Sequence, residues 1–184
     1  MVELKAKSAL GGQSAVQIGA VRLQEVEGSK LSAIAPFAGV DAKLSEAMEL
    51  AYGFGFPEPG QVLQKGQARC VWFGHRQALL IAATPDETLA ELALITDQSD
   101  AWCSVSAVGA AAEDVLARLC PVDLHLRAFP VGHTARCPLG HINVSLTRVA
   151  ADGFEIMAFR SMAASLWHEV TAAAELVAAR AALP

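Results

Sequence analysis

Two stretches of this sequence, roughly 70–75 residues apart, follow the same course of a strand pair running into a helix. One is Cys70 to Leu92 and the other Val144 to Trp167. The echo constrains the fold to two related halves, each made of strand, helix, hairpin and helix. The second copy is the clearer. Ile142, Val144 and Leu146 alternate with Asn143, Ser145 and Thr147, the period of a half-buried strand. Asp152-Gly153 suits a hairpin turn, and Phe154 to Phe159 returns as the partner strand. A helix from about Ser161 to Ala182 follows, with Leu166, Val170, Ala173 and Val177 on its inner face. In the first copy, residues 69–74 and 77–83 form the hairpin. A helix is then expected from Thr84 as cap, with Pro85 in the first turn, Glu87 closing a capping box, and Leu89, Leu92 and Ile95 at helical spacing.

The remaining elements fit around these. Val16 to Val26 alternates imperfectly, slipping phase near Gly19, which predicts a bulged strand. Leu31 to Pro36 is a second short strand. Asp41 to Tyr52 places Leu44, Ala47, Met48 and Ala51 on one helical face before Gly53-Phe54-Gly55-Phe56-Pro57 breaks it. A strand at 101–107, a helix at 110–119 ended by Cys120-Pro121, and a strand at 133–139 complete the pattern. The whole reads as α+β, mostly antiparallel sheets with helices. Residues 1–15 form a loose leader, and 16–184 a single domain of two pseudo-repeats, about 16–97 and 98–184.

Composition narrows the function classes. Charged residues are only 18% and hydrophobic ones 53%, against roughly 25% charged in an ordinary soluble domain. That shortfall favours a subunit whose apolar surface a partner covers. Net charge is −5 with no block of Lys or Arg, so the cation clusters that bind nucleic acid are missing. The four cysteines, Cys70, Cys103, Cys120 and Cys137, form no C-x-x-C pair and read as reduced thiols. The N-terminus lacks a signal-peptide core, and Val170 to Leu183 is too short to span a bilayer, so a cytoplasmic protein without membrane contact is expected.

Candidate chemistry is sparse. His125, His133 and His141 recur every eight residues but lack helical ligand spacing or a carboxylate pair, and structural roles are favoured over a metal site. Cys120 follows a helix, at the end whose dipole raises a thiol pKa, so it is a poor nucleophile. Gly53-Phe54-Gly55 lacks the strand-to-helix context of a phosphate loop. No catalytic, cofactor-binding or metal residue is assigned. Phe54 and Phe56, read as exposed loop aromatics, either pack on the domain's own sheet or anchor a partner. The long connection from Cys120 to Arg136 carries two prolines, Asp123, Arg127 and Phe129. It is held either by Asp123 pairing with Arg127 or Arg136, or by a partner. A subunit interface would draw on Phe54, Phe56, Arg127 and Phe129.

This connection also carries a family resemblance. Leu119 to Trp167, with Cys-Pro-Val-Asp-Leu-His-Leu-Arg-Ala-Phe-Pro, Gly132, the strand from His141 to Arg148, Gly153-Phe-Glu-Ile and Phe-Arg-Ser-Met-Ala-Ala-Ser-Leu-Trp, resembles the gamma subunit of heterotetrameric sarcosine oxidase. Weaker similarity runs upstream through Gly53–Gly60, Val71-Trp-Phe-Gly and Ser99-Asp-Ala-Trp. Gly74-His-Arg-Gln-Ala-Leu-Leu departs from the family pattern. The resemblance implies a duplicated folate-binding-type domain, related to the glycine-cleavage aminomethyltransferase. It implies a non-catalytic chain that assembles with alpha, beta and delta subunits. Such complexes oxidise sarcosine to glycine, forming hydrogen peroxide and 5,10-methylenetetrahydrofolate. FAD, FMN, NAD, tetrahydrofolate and zinc are implied in the partner subunits and none in this chain. A gamma subunit of a related N-methyl amino acid demethylase, or a free-standing folate-binding protein, is the alternative. No Asn-x-Gly loop followed by paired carboxylates supplies the acid that folate chemistry needs.

Overall fold

The computed structural model describes residues 3, 7–27 and 30–183. Its strands are β1 (Val16–Ile18), β2 (Val21–Val26), β3 (Leu31–Pro36), β4 (Val62–Lys65), β5 (Ala68–Gly74), β6 (Gln77–Ile81), β7 (Ala93–Asp97), β8 (Trp102–Val108), β9 (Thr134–Leu139), β10 (Ile142–Ala150) and β11 (Gly153–Phe159). The helices are α1 (Asp41–Tyr52), α2 (Ala112–Ala117) and α3 (Ala163–Ala181), with short 3-10 turns at Glu87–Glu91 and Arg160–Met162. Two antiparallel sheets form, a large one in the order β1-β2-β8-β11-β10-β9 and a small one in the order β4-β5-β6-β3-β7. The fold is α+β, as the alternating patterns require.

The core lies in three layers between four tiers of secondary structure. Phe154, Ile156 and Ala158 of β11, with Val105 and Ala107 of β8, pack against Leu116 of α2 and Leu166 and Val170 of α3. Leu44 and Met48 of α1 cover Ile34, Cys70 and Leu80 on the outer face of the small sheet. The inner faces meet through Leu31, Val71, Phe73, Leu79, Trp102 and Met157. This is the alternation of strand side chains at work: odd and even residues of one strand serve different layers. Across the middle, the Arg69 guanidinium of β5 holds both oxygens of Glu155 of β11, at 2.7 and 2.6 Å.

The duplication is visible in the strand order. The small sheet reads β4-β5-β6-β3-β7 and the large one β9-β10-β11-β8-β2, with β1 added outside β2. Thus β3 corresponds to β8, α1 to α2, the three-strand meander β4–β6 to β9–β11, and β7 to β2. Both inner hairpins shift register at the same place, between Trp72 and Gly74 in one and between Arg148 and Ala150 in the other. The halves are not cut at residue 97, however. Residues 31–97 build the small sheet, while residues 16–26 join 102–159 in the large one.

Several expectations change. The bulged strand at Val16 to Val26 is a tight hairpin, because Gly19 adopts a positive φ of 53° and turns the chain. The helix expected from Thr84 through Ile95 shrinks to the 3-10 turn, whose cap is Asp86, its carboxylate accepting from the Thr88 N–H at 2.9 Å. Ala93 to Asp97 pair with β3 instead, since that ladder satisfies an otherwise unpaired edge of β3. The helix expected at 110–119 is reduced to α2, and β4 is an added strand. Gly109, with φ 132°, lets the chain pass against the Ala20 carbonyl, where any Cβ would clash. Of the leader expected at 1–15, residues 1, 2 and 4–6 lie outside the described residues. The part that follows is tied down: the Ser8 hydroxyl and the Leu10 N–H donate to the buried Glu25 carboxylate at 2.8 and 3.0 Å.

Candidate functional site

The connection from Cys120 to His133 straps one end of the large sheet, and a single cation fastens it. Arg148 of β10 is fully buried. Its guanidinium donates to the Leu124 and Ala151 carbonyls and to Glu113 Oε2 at 2.8 Å, and lies 4.3 Å from the centre of the Phe154 ring. Glu113, in the first turn of α2, sets its other oxygen 3.1 Å from His125 Nδ1. A buried charge persists only where a counter-charge and hydrogen bonds offset its desolvation. Here those partners come from the strap, the β10–β11 turn and α2, so one side chain fixes all three. The β10 register shift next to it re-aims the strand end, as bulges do.

The sequence held a signal for this residue. Ile142, Val144 and Leu146 set the buried phase of β10, and Arg148 continues that phase as a charge. A cation in a core register demands a partner set. Glu113 and the Arg69–Glu155 pair were not readable in the same way, since their partners lie 35 and 86 residues away.

The residues proposed for a subunit interface occupy different environments. Phe129 is buried in the core under the large sheet, with its ring edge-on to His133 at 6.2 Å. Phe54 is buried in the small-sheet core, stacked on Tyr52 at 5.7 Å. Phe56 is half-buried against that same core, its N–H donating to Ser45 Oγ at 3.1 Å. The aromatics therefore pack inward and Phe54 and Phe129 offer no surface to a partner: burial removes more apolar area from water than solvent exposure would allow. Arg127 is exposed, with Leu126 and Val131 exposed near it along the strap. Asp123 pairs with neither arginine; it accepts from the His125 N–H at 3.0 Å. Arg136 instead lies between the sheets, 4.2 Å from the Phe73 ring centre.

The two loop regions do meet through their backbones. The Val62 N–H donates to the Gly132 carbonyl at 2.8 Å and the Thr134 N–H to the Gly60 carbonyl at 2.9 Å. This bridge between Gln61 and His133 sews the β4 edge of the small sheet to the β9 edge of the large one.

The four thiols are shifted unequally. Burial pushes the Cys70 thiol up to about 12, and burial with the nearby Glu25 pushes Cys103 up to about 11. Cys120 is raised by its hydrogen bond with Cys137 and by burial; Cys137 is lowered by the same bond. A buried thiol with a raised pKa stays protonated, which suits a core residue better than a nucleophile. Among the described residues no three His, Cys, Asp or Glu side chains converge as metal ligands. A cleft of about 400 Å³ brings Lys7, Lys30 and Arg160 beside Glu25 and Asp100. Its charges are partly spoken for: Arg160 donates to the Lys7 carbonyl and Glu25 accepts from the leader. A second, of about 420 Å³, lies among Phe56, Trp72, His75 and Arg76.

Residues 74–182, more than half the chain, match the model of the GCVT N-terminal domain. The chain belongs to the GCVT N-terminal domain family. As such, this GCVT-type chain is also similar to solved structures. A chain of the heterotetrameric sarcosine oxidase from Corynebacterium sp. U-96, solved with pyrrole 2-carboxylate, is 25% identical with a TM-score of 0.76. The match covers 89% of this chain and 88% of that one. The glycine cleavage system aminomethyltransferase T from Bartonella henselae shares the fold at 16% identity and a TM-score of 0.57. There the GCVT-type chain covers 83% of itself but only 46% of its neighbour. No curated protein sequence matches it. Among the described residues no helix is long and apolar enough to cross a membrane.

Proposed function

We propose that this chain is the gamma subunit of a cytoplasmic sarcosine oxidase complex, a non-catalytic partner that holds the flavin-bearing subunits together. One observation carries the reading: the match to a chain of a heterotetrameric sarcosine oxidase covers 89% of one and 88% of the other, at 25% identity. The higher identity and the TM-score of 0.76 with the oxidase chain support a role inside an assembly over free-standing folate chemistry. The site geometry supports the same division of labour. The charge network of Arg148 with Glu113 and His125 is spent on fastening a loop, and Cys70, Cys103 and Cys120 are buried thiols. On this reading the alpha, beta and delta subunits carry FAD, FMN, NAD, tetrahydrofolate and zinc, and this chain carries none.

Co-expression with the flavin-bearing subunits tests it. Assembly, and sarcosine-dependent formation of hydrogen peroxide by the assembled complex, are expected to fall together when this chain is omitted. Tight binding of tetrahydrofolate by the isolated chain, or assembly and turnover unchanged without it, overturns the proposal.

A further inference from the structure

An exposed strand edge is a liability that folded chains blunt with prolines, lysines, short length or cover. Three of the four sheet edges here are managed that way. β1 has three residues and packs beside α3. β9 contains Pro138 and is sewn to β4 at its start, and β4 ends in Gln64 and Lys65. The fourth, β7, is five residues long with no Pro, Lys or Arg, and no described strand lies outside it. Leu94, its second residue, is 62% exposed. It pairs with Ala35 of β3, which places it beside Phe37, itself 47% exposed, on the same sheet face.

The other sheet shows what covers the equivalent edge. β2 holds the place in the large sheet that β7 holds in the small one, and β1 lies antiparallel along it with Val16 opposite Leu23, Gln17 opposite Arg22 and Ile18 opposite Val21. The small sheet has no such cover strand from this chain. The ladder to β3 uses the Leu92 carbonyl and the Gln98 N–H, so by antiparallel alternation the N–H and C=O groups of Ile95 and Asp97, beyond the buried Ala93, face outward. They form a template for one more strand.

We propose that β7 is a docking edge on which an extended segment of a flavin-bearing partner subunit, flanked by basic residues, adds as an antiparallel strand in the place β1 takes on β2. This rests on the subunit reading above. Charge selects the occupant. From Gln77 to Ala117 the sequence has no Lys, Arg or His, and Asp86, Glu87, Glu91, Asp97 and Asp100 around β7 are all exposed; Lys30, beside Asp97, offsets one of them. A second copy laid antiparallel would bring the acidic start of one edge against the acidic end of the other, a repulsive arrangement. A partner strand with Lys or Arg at its ends is attracted by the same charges.

The test is assembly of co-expressed full-length chains. Leu94→Lys changes an exposed side chain only, and Ile95→Pro removes an outward N–H while leaving the β3 ladder. Both are expected to weaken capture of the flavin-bearing subunits at least tenfold, while Leu176→Lys on α3, also 60% exposed, leaves it unchanged. Far-ultraviolet circular dichroism and a thermal melt establish that each variant is folded, and the milder Leu94→Lys stands if Ile95→Pro is not. If wild type assembles and a folded Leu94→Lys assembles equally well, the docking edge is wrong and the subunit reading survives. If wild type does not assemble at all, the subunit reading falls and its occupant with it. A wild-type dimer of this chain that Leu94→Lys dissociates assigns the edge to a second copy and also overturns the proposal.

Discussion

The β5–β6 and β10–β11 hairpins hold the same place in their sheets and bulge at the same point, but they are finished differently. In the small sheet the shift falls at Trp72, a half-buried side chain at the rim of a cleft. In the large sheet it falls at Arg148, which is fully buried and bound on three sides. The difference continues along the chain. After β11 comes α3, nineteen residues long, and a cover strand closes the far edge. After β6 comes a five-residue 3-10 turn, and the far edge is left bare. One topology has been used twice, once closed on itself and once left open, and the open copy is where association would act.

The sharpest way to break this comparison is at the two bulges. Arg148→Met strands the Leu124 and Ala151 carbonyls and leaves Glu113 without its guanidinium. It is expected to cost about 3–5 kcal/mol, the range for removing one partner of a buried ion pair. Urea unfolding measures the loss, and hydrogen exchange should show residues 121–132 losing protection first. Trp72→Ala is expected to cost about 1–2 kcal/mol, since a half-exposed side chain leaves a smaller void. Equal costs would mean that the two hairpins are equally committed, against the reading above.

Next in size is the link between the sheets. Arg69 and Glu155 are 15% and 11% exposed and bonded at 2.6 Å. Glu155→Gln is expected to cost about 2–3 kcal/mol, below the range for a fully dry pair because some solvent reaches it. The double change Arg69→Met with Glu155→Leu should recover part of that loss, because no charge is then left unpaired. A double variant as unstable as the sum of the two single ones would show that the pair does not act as a unit.

The closed half was the more legible in sequence. β10 alternates apolar and polar residues up to Leu146 and Thr147 ahead of the Asp152-Gly153 turn, and α3 repeats Leu166 and Val170 at helical spacing on its buried face, while β11 is buried on both faces. α1 is equally plain, ending where Gly53 takes a left-handed φ of 75°. In the open half, Leu89, Leu92 and Ile95 carry helical spacing, yet only the first lies in a helical turn. The partner that makes Ala93 to Asp97 a strand is β3, about sixty residues upstream in the register, and local propensity carries no record of it. The inward packing of Phe54 and Phe129 was hidden on the same ground. Phe54 and Phe129 sit in loops by sequence, but the seam between Gln61 and His133 folds both loops back over the cores.

The smallest expected effect refines the start of that 3-10 turn. Asp86 caps it, and the hydrogen bonds from the Thr88 hydroxyl and N–H hold its carboxyl below the ordinary aspartate range. A carboxyl lowered in the folded state adds stability above its unfolded pKa and loses it as pH falls through the folded value. Asp86→Asn should therefore lower the melting temperature slightly near neutral pH, and the gap from wild type should narrow as both are acidified below the aspartate range. The group is fully exposed, so salt should shrink any purely electrostatic share of the gap, leaving the hydrogen-bonded share. The comparison sharpens if assembly responds too. The turn leads directly into β7, and a loosened cap would fray the docking edge without touching the large sheet. A gap that widens on acidification would mean that the Asp86 carboxylate is not the cap in solution, and that something other than this turn sets the start of the open edge.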